Sequence, residues 1–175
     1  MPAALYLCLH LRDFAAQAMA CAQPELRRGP LAILSGTPPL EEVFGLNQQA
    51  RELGVESGMG RLQAESFAGT AIRSRDRAQE ERAFANVVGC AERFSPRIQA
   101  IAAPQEHSSM ATLILDIGNS ARLLGTPEQI AAAILREVRG AGYEASVSIS
   151  RNAYAAVLAA RGPKDPAAEA LAARL

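Results

Sequence analysis

The chain has 175 residues, of which 49% are hydrophobic, so it can bury a core without disulfides. Its 18 basic and 18 acidic side chains cancel, which excludes a polybasic protein and argues against long disordered stretches. The three cysteines lack a CxxC spacing, which argues against a disulfide framework or a zinc site. The first apolar stretch is short and alternating, unlike a signal peptide or a membrane span. These features predict a cytoplasmic protein without membrane contact.

The first part of the chain predicts strands and helices in alternation. Alternating apolar residues predict a strand over 5–11. Asp13 follows where a helix N-cap belongs, ahead of an alanine-rich helix over 14–22. A second apolar strand is predicted over 31–34. Between residues 41 and 67 the glycine-punctuated sequence predicts short helices.

The second part predicts a strand-rich layer with long helices. Its predicted elements are a strand over 70–73, a helix over 76–94, strands over 97–102 and 110–117, a helix from a Thr126 cap to 139, a strand over 145–149 and a helix over 152–161. The strands over 97–102 and 110–117 are close enough in sequence to form an antiparallel hairpin. The order of elements predicts an α+β fold, in which helices cover one face of an antiparallel sheet.

The carboxylates, histidines and cysteines give no clear catalytic signal. Only four aspartates occur, with no DxD pair. Asp116 ends an apolar strand and is the best-placed of them, but a two-metal site needs at least two carboxylates. A structural carboxylate that accepts backbone hydrogen bonds is therefore the favoured interpretation. His10 and His107 are more typical of structural or solvent-facing histidines, and Cys8 of a small core residue.

The densest cationic stretch follows the predicted strand over 70–73. It contains Arg73, Arg75, Arg77 and Arg82, interleaved with acidic residues. This pattern favours a solvated helix face over a phosphate-contact patch, and both interpretations stay open. Aromatic residues are only 5% of the chain, which argues against a base-stacking platform.

Several motifs, taken in order, resemble Y-family (UmuC-like) translesion DNA polymerases. They are LYLCLHLRDF at 5–14, QPELRRGPLAI at 23–33, QARELGVESGM at 49–59, AERFSPRI at 91–98, SSMATLILDI at 108–117 and SISRNAYAA at 148–156. Each motif is weak alone, but their order and spacing are specific. The resemblance implies a palm with a small inserted, mostly helical fingers subdomain. It implies a discontinuous palm over 1–23 and 76–163, fingers over 24–75, and a tail over 164–175 that is disordered or begins a missing thumb.

The resemblance also marks the positions that have lost the family's metal-binding carboxylates. The first two fall on His10 and Arg12, with Asp13 one residue out of register. The acidic pair of the later strand falls on Ala111 and Thr112. Two-metal nucleotidyl transfer is therefore expected to be absent, and Mg²⁺ binding is not expected.

The same resemblance leaves only a remnant of the nucleotide contacts. The triphosphate-contacting arginine is retained as Arg51, whereas Gln48 stands at the tyrosine position. A basic position in the last helix is Val157.

Two segments, LHLRD and DIGNSARLLG, are similar to ImuB-type proteins, inactive relatives of these polymerases. This resemblance implies a bacterial adaptor in the SOS response and induced mutagenesis. A replicative-type error-prone polymerase would supply the chemistry, and the sliding clamp and recombinase-type proteins are further implied partners. Because such proteins are longer, we expect a piece of a longer protein or a short homologue, with weak DNA binding.

Two other functions stay open from the residues alone. The first is an active nucleotidyltransferase that holds metal with unusual ligands such as His10 and Asp116. The second is a structural protein-interaction domain without nucleic-acid contact.

Overall fold

The computed structural model describes residues 4–102 and 108–162. The chain divides into two units. Of the described residues, unit 1 contains 4–12, 85–102 and 111–162, and unit 2 contains 13–84 and 108–110. His107 and the predicted tail over 164–175 lie outside the described residues.

The described residues form seven strands and seven α-helices. Numbered along the chain, the strands are β1 (Tyr6–Leu11), β2 (Leu31–Ser35), β3 (Glu42–Leu46), β4 (Ala71–Ser74), β5 (Ile98–Ala102), β6 (Ala111–Asp116) and β7 (Ser146–Ser150). The helices are α1 (Phe14–Ala22), α2 (Gln48–Glu52), α3 (Arg61–Glu65), α4 (Arg77–Glu92), α5 (Ala121–Leu124), α6 (Pro127–Gly140) and α7 (Ala153–Arg161). None of the helices described is both long and apolar enough to cross a membrane.

Unit 1 is built on a four-stranded antiparallel sheet in the order β5-β6-β1-β7. The sheet buries Cys8 and Ile114 against three residues of α7, Ala156, Val157 and Ala160. Helix α6 buries Ile130, Ile134 and Val138, which are four residues apart and therefore lie on one face of the helix. The predicted α+β class with an antiparallel sheet is confirmed.

The start of α6 shows why this helix was predictable from sequence. The Thr126 hydroxyl accepts a hydrogen bond from the Gln129 backbone N–H at 3.3 Å, and the Gln129 side chain accepts one from the Thr126 N–H at 2.8 Å. Pro127 occupies the first helical turn, where its missing N–H has no intrahelical partner to lose. The reciprocal capping box satisfies two backbone donors that would otherwise face solvent.

Unit 2 contains a second sheet, with three strands in the order β3-β2-β4. Strand β2 pairs antiparallel with β3 and parallel with β4. A buried cluster of small and aliphatic residues in unit 2 consists of Ala32, Leu34, Val43, Leu46, Ala50, Val55 and Ala64.

Strand β3 corrects the expectation of short helices alone between residues 41 and 67. The segment EVFGL pairs with the buried strand β2, and this pairing overrides its weak local preference. Gly45 lies close to α1: an added Cβ would lie 3.2 Å from the Cβ of Ala15, so one of the two would have to shift by a few tenths of an ångström. The short helices that were predicted in this segment are present after β3, as α2 and α3.

Helix α1 packs within unit 2. Ala16 and Met19 form a buried cluster with Leu26, Leu31 and Ile33. The rings of Phe14 and Phe84 meet edge to face, with centroids 6.2 Å apart. The predicted fingers segment over 24–75 lies inside unit 2, while the palm and fingers boundaries stay a prediction.

Candidate functional site

The resemblance marks four positions in unit 1 as degenerate: His10 lies on β1, Ala111 and Thr112 lie on β6, and Arg12 follows β1. In the register of these strands His10 pairs with Thr112, and Leu11 pairs with Ala111. His10 Nδ1 and Thr112 Oγ1 are 2.9 Å apart, and the two residues are 3% and 0% exposed. A buried hydrogen bond between side chains therefore joins two of the four positions.

The other two positions do not join this pair. Ala111 lies opposite Leu11. Because successive side chains of a strand point to opposite faces, Ala111 and Thr112 lie on opposite faces of the sheet. Arg12 follows β1, is exposed, and directs Nη2 to the carbonyl oxygen of Arg161 at 3.4 Å. Among these four positions, His10 and Thr112 are joined by a side-chain hydrogen bond, whereas Arg12 hydrogen-bonds to the Arg161 carbonyl.

The pair borders both a polar residue and an apolar cluster, since Ser146 of β7 lies opposite His10 on the other side of β1. Successive residues on the same face of β1 and β6 are Cys8 and Ile114, which pack with Val157 of α7. Burial raises the pKa of the Cys8 thiol to about 12, so this thiol stays protonated at neutral pH. The prediction of Cys8 as a core residue is confirmed.

Asp116 is remote from the His10–Thr112 pair. It lies opposite Tyr6, four residues along β6 from Thr112, a separation of about 13 Å along a strand. Its carboxylate accepts a hydrogen bond from the Gly118 N–H at 3.1 Å and contacts Arg97 Nη1 at 3.2 Å. This is the structural role that the sequence favoured for Asp116.

Magnesium does not fit these residues. It binds through carboxylate and other hard oxygen ligands. His10, Arg12, Ala111 and Thr112 provide no carboxylate, and Arg12 adds a positive charge. Across residues 4–102 and 108–162, no cluster of three or more His, Cys, Asp and Glu side chains could hold a metal ion.

The two residues predicted to be a nucleotide-contact remnant, Gln48 and Arg51, lie in unit 2, on α2. Arg51 donates two hydrogen bonds to Asp13, from Nη2 to Oδ1 at 2.7 Å and from Nη1 to Oδ2 at 3.1 Å. Nη1 also donates to the side-chain oxygen of Gln48 at 3.1 Å. The hydrogen bonds to Asp13 raise the pKa of Arg51, so its positive charge is fixed. The two predicted residues are together, and the sequence did not predict their partner Asp13.

Asp13 also departs from its predicted role as a capping side chain. It precedes α1, but its side chain makes no capping hydrogen bond. Its backbone is left-handed, with φ at 54°, and its carboxylate is held by Arg51 instead. A local capping rule cannot predict this contact, because the partners are 38 residues apart in sequence.

The three predicted phosphate-contact arginines differ in environment. Arg75 pairs with Glu80 through two hydrogen bonds of 2.8 Å, and their side chains are 5% and 4% exposed. Its guanidinium also lies over the Phe44 ring, 3.8 Å from the centroid. A phosphate contact at Arg75 does not fit this buried, paired geometry. Arg73 is partly buried and Arg77 is exposed, and their phosphate contacts stay a prediction.

Comparison with solved structures defines the class of fold. The chain is similar to an insertion ternary complex of Dbh DNA polymerase (TM-score 0.76, 19% identity) and a post-insertion binary complex of Dbh DNA polymerase (TM-score 0.78, 20% identity). It is also similar to DinB from Sulfolobus solfataricus (TM-score 0.74, 19% identity). Each match covers 91% of this chain and 46% of the other, so the chain spans about half the length of these proteins. The fold is that of the Y-family polymerase palm region.

The family follows from the sequence itself. A model of the impB/mucB/samB family matches residues 9–161, and the chain belongs to this family. No curated protein matches it in a sequence search. The predicted membership in the UmuC-like Y-family superfamily is confirmed.

Proposed function

We propose that the chain is a non-catalytic, polymerase-like module that binds DNA and protein partners in bacterial DNA damage tolerance. The buried hydrogen bond between His10 and Thr112 is the observation that carries this proposal. It places an imidazole and a hydroxyl in contact at positions where the family resemblance implies metal-binding carboxylates. In this proposal His10 and Thr112 stabilise the sheet and take no part in phosphoryl transfer.

The ImuB-type assignment extends this proposal to partners and setting. A module without its own chemistry needs a replicative-type error-prone polymerase to extend the primer. The sliding clamp and a recombinase-type protein are the other proposed partners, in translesion synthesis and induced mutagenesis in the bacterial cytoplasm. The LHLRD and DIGNSARLLG segments support this assignment, since they carry the resemblance to inactive relatives.

An active nucleotidyltransferase is the competing function, with His10 and Asp116 as its metal ligands. Ligands of one Mg²⁺ each lie about 2.1 Å from the ion, so two of them lie within about 4.2 Å of each other. Asp116 is about 13 Å along the strand from the position opposite His10. The geometry therefore favours the non-catalytic module.

DNA binding is expected to be weak and strongly salt-dependent. The similar solved structures include an insertion ternary complex and a post-insertion binary complex of Dbh DNA polymerase, and the shared fold supports a DNA contact here. With 18 basic and 18 acidic side chains, the chain has no net positive charge that would strengthen DNA binding. Fluorescence anisotropy of a labelled primer-template, titrated at several salt concentrations, measures the slope of log K against log salt.

Three single variants sharpen this measurement. Arg73→Ala and Arg77→Ala are each expected to weaken binding and to reduce the slope by about 1, the effect of one phosphate contact. Arg139→Ala is the matched control, because it removes the same charge from an exposed position on α6. Absence of binding at low salt would instead support a structural interaction domain without nucleic-acid contact.

A further inference from the structure

Asp13 is held in a conformation that its own helix does not explain. It has a positive φ of 54°, a region that side chains with a Cβ rarely adopt. An aspartate before a helix is ordinarily extended, and its carboxylate accepts a hydrogen bond from the second or third helical N–H. Here that side-chain hydrogen bond is absent. The backbone carbonyl of Asp13 accepts a hydrogen bond from the Gln17 N–H at 3.0 Å.

The carboxylate is used instead by Arg51. Two parallel hydrogen bonds, of 2.7 and 3.1 Å, join the two terminal nitrogens of the guanidinium, Nη2 and Nη1, to the two carboxylate oxygens. The planar guanidinium matches two kinds of anion in this way, carboxylates and phosphates. Arg51 is therefore an anion-binding side chain that already holds an anion of its own chain.

The pair lies where a ligand from solvent could compete for it. The Arg51 side chain is 38% exposed and the Asp13 side chain 18% exposed. Gln48 accepts a further hydrogen bond from Arg51 Nη1, which orients the guanidinium. A fully buried ion pair would be closed to solvent, whereas this one is only partly covered.

We propose that Asp13 occupies a polyphosphate-binding position on Arg51 and keeps phosphate groups of nucleotides from binding there. The inference rests on the proposed function, since a module without metal-dependent chemistry has no use for a bound triphosphate. An external phosphate must displace an intramolecular carboxylate, whose effective concentration exceeds that of a free ligand. Removing the carboxylate opens the position while leaving Arg51 in place.

The test is a gain of binding. Asp13→Gly and Asp13→Asn both remove the negative charge, and glycine and asparagine both tolerate a positive φ, so the backbone of residue 13 can keep its conformation. Inorganic tripolyphosphate is the probe, titrated by calorimetry at low salt with EDTA present. We expect at least about a tenfold increase in its association constant in both variants, the value of one charge-assisted contact. Thermal melts verify that each variant is folded.

Two controls separate this contact from a general effect of charge. Glu81→Gln removes one negative charge from an exposed position on α4 and is expected to leave tripolyphosphate binding unchanged. The double variant Asp13→Gly/Arg51→Ala is expected to lose the gain.

The outcomes are distinct for the two proposals. Folded Asp13 variants without a gain would overturn the inference, as would an equal gain in Glu81→Gln or native binding as tight as that of the variants. A gain that depends on Arg51 supports it. The probe contains no DNA, and the titration contains no metal. A failure of this inference therefore does not change the outcome of the DNA-binding and metal-binding tests of the proposed function.

Discussion

Replacing Arg75 by alanine is expected to lower the free energy of unfolding by about 3–5 kcal/mol, the cost of breaking a buried ion pair by removing one partner. Arg75 and Glu80 have side chains only 5% and 4% exposed, joined by two hydrogen bonds of 2.8 Å. The Glu80 carboxylate would remain buried without its counter-charge. The contact of Arg75 with the face of Phe44 would be lost as well. Urea unfolding followed by circular dichroism measures the change.

The matched comparison for Arg75 is Arg28→Ala, which removes the same side chain from an exposed position in unit 2. Its effect is expected to stay within about 0.5 kcal/mol. Replacing both members of the pair, Arg75→Met with Glu80→Leu, should recover most of the lost stability, because no buried charge remains. If Arg75→Ala is as mild as Arg28→Ala, the pair is not buried in solution, and the phosphate-contact prediction for Arg75 regains support.

Replacing Thr112 by valine is expected to lower the free energy of unfolding by about 1–3 kcal/mol, the cost of removing a partner from a buried polar group. Valine has the shape of threonine, so the change removes the hydroxyl without opening a cavity. His10 would lose its hydrogen bond to Thr112 Oγ1 while remaining buried. The same urea unfolding measurement applies.

Thr70→Val is the control for this second prediction. The Thr70 hydroxyl is buried and has no hydrogen-bond partner, so the same substitution removes an unsatisfied group. It is expected to leave the stability unchanged or to raise it. Equal losses in the two variants would show that the His10–Thr112 hydrogen bond contributes nothing to the sheet.

The parts of the fold that sequence predicted are those governed by local rules. The apolar alternation of β1, the alanine-rich run of α1 and the Thr126 cap of α6 are each encoded within a dozen residues. Strand β3 was missed because its five residues include Gly45, and its assignment depends on pairing with β2. The burial of Arg75 was missed for the same reason, since Phe44, the ring beneath its guanidinium, lies on β3.

The candidate site was predictable in position but not in its contacts. The resemblance placed His10 and Thr112 at two separate carboxylate positions of the family, and the strand register brings them opposite each other. Their hydrogen bond depends on a pairing between residues 102 positions apart, which no local pattern encodes. The Asp13–Arg51 pair is a second long-range contact, and it replaces the local capping bond that the sequence predicted.

Binding of Mn²⁺ tests the central claim most directly, because Mn²⁺ favours the same oxygen ligands as Mg²⁺ and is observed by electron paramagnetic resonance. The ion is titrated into the full chain with primer-template and nucleotide present, and primer extension is read from the same samples. We predict no saturable Mn²⁺ binding to the protein and no extended primer. Saturable binding with metal-dependent nucleotide incorporation, both lost in His10→Ala and in Asp116→Asn, would contradict the non-catalytic account.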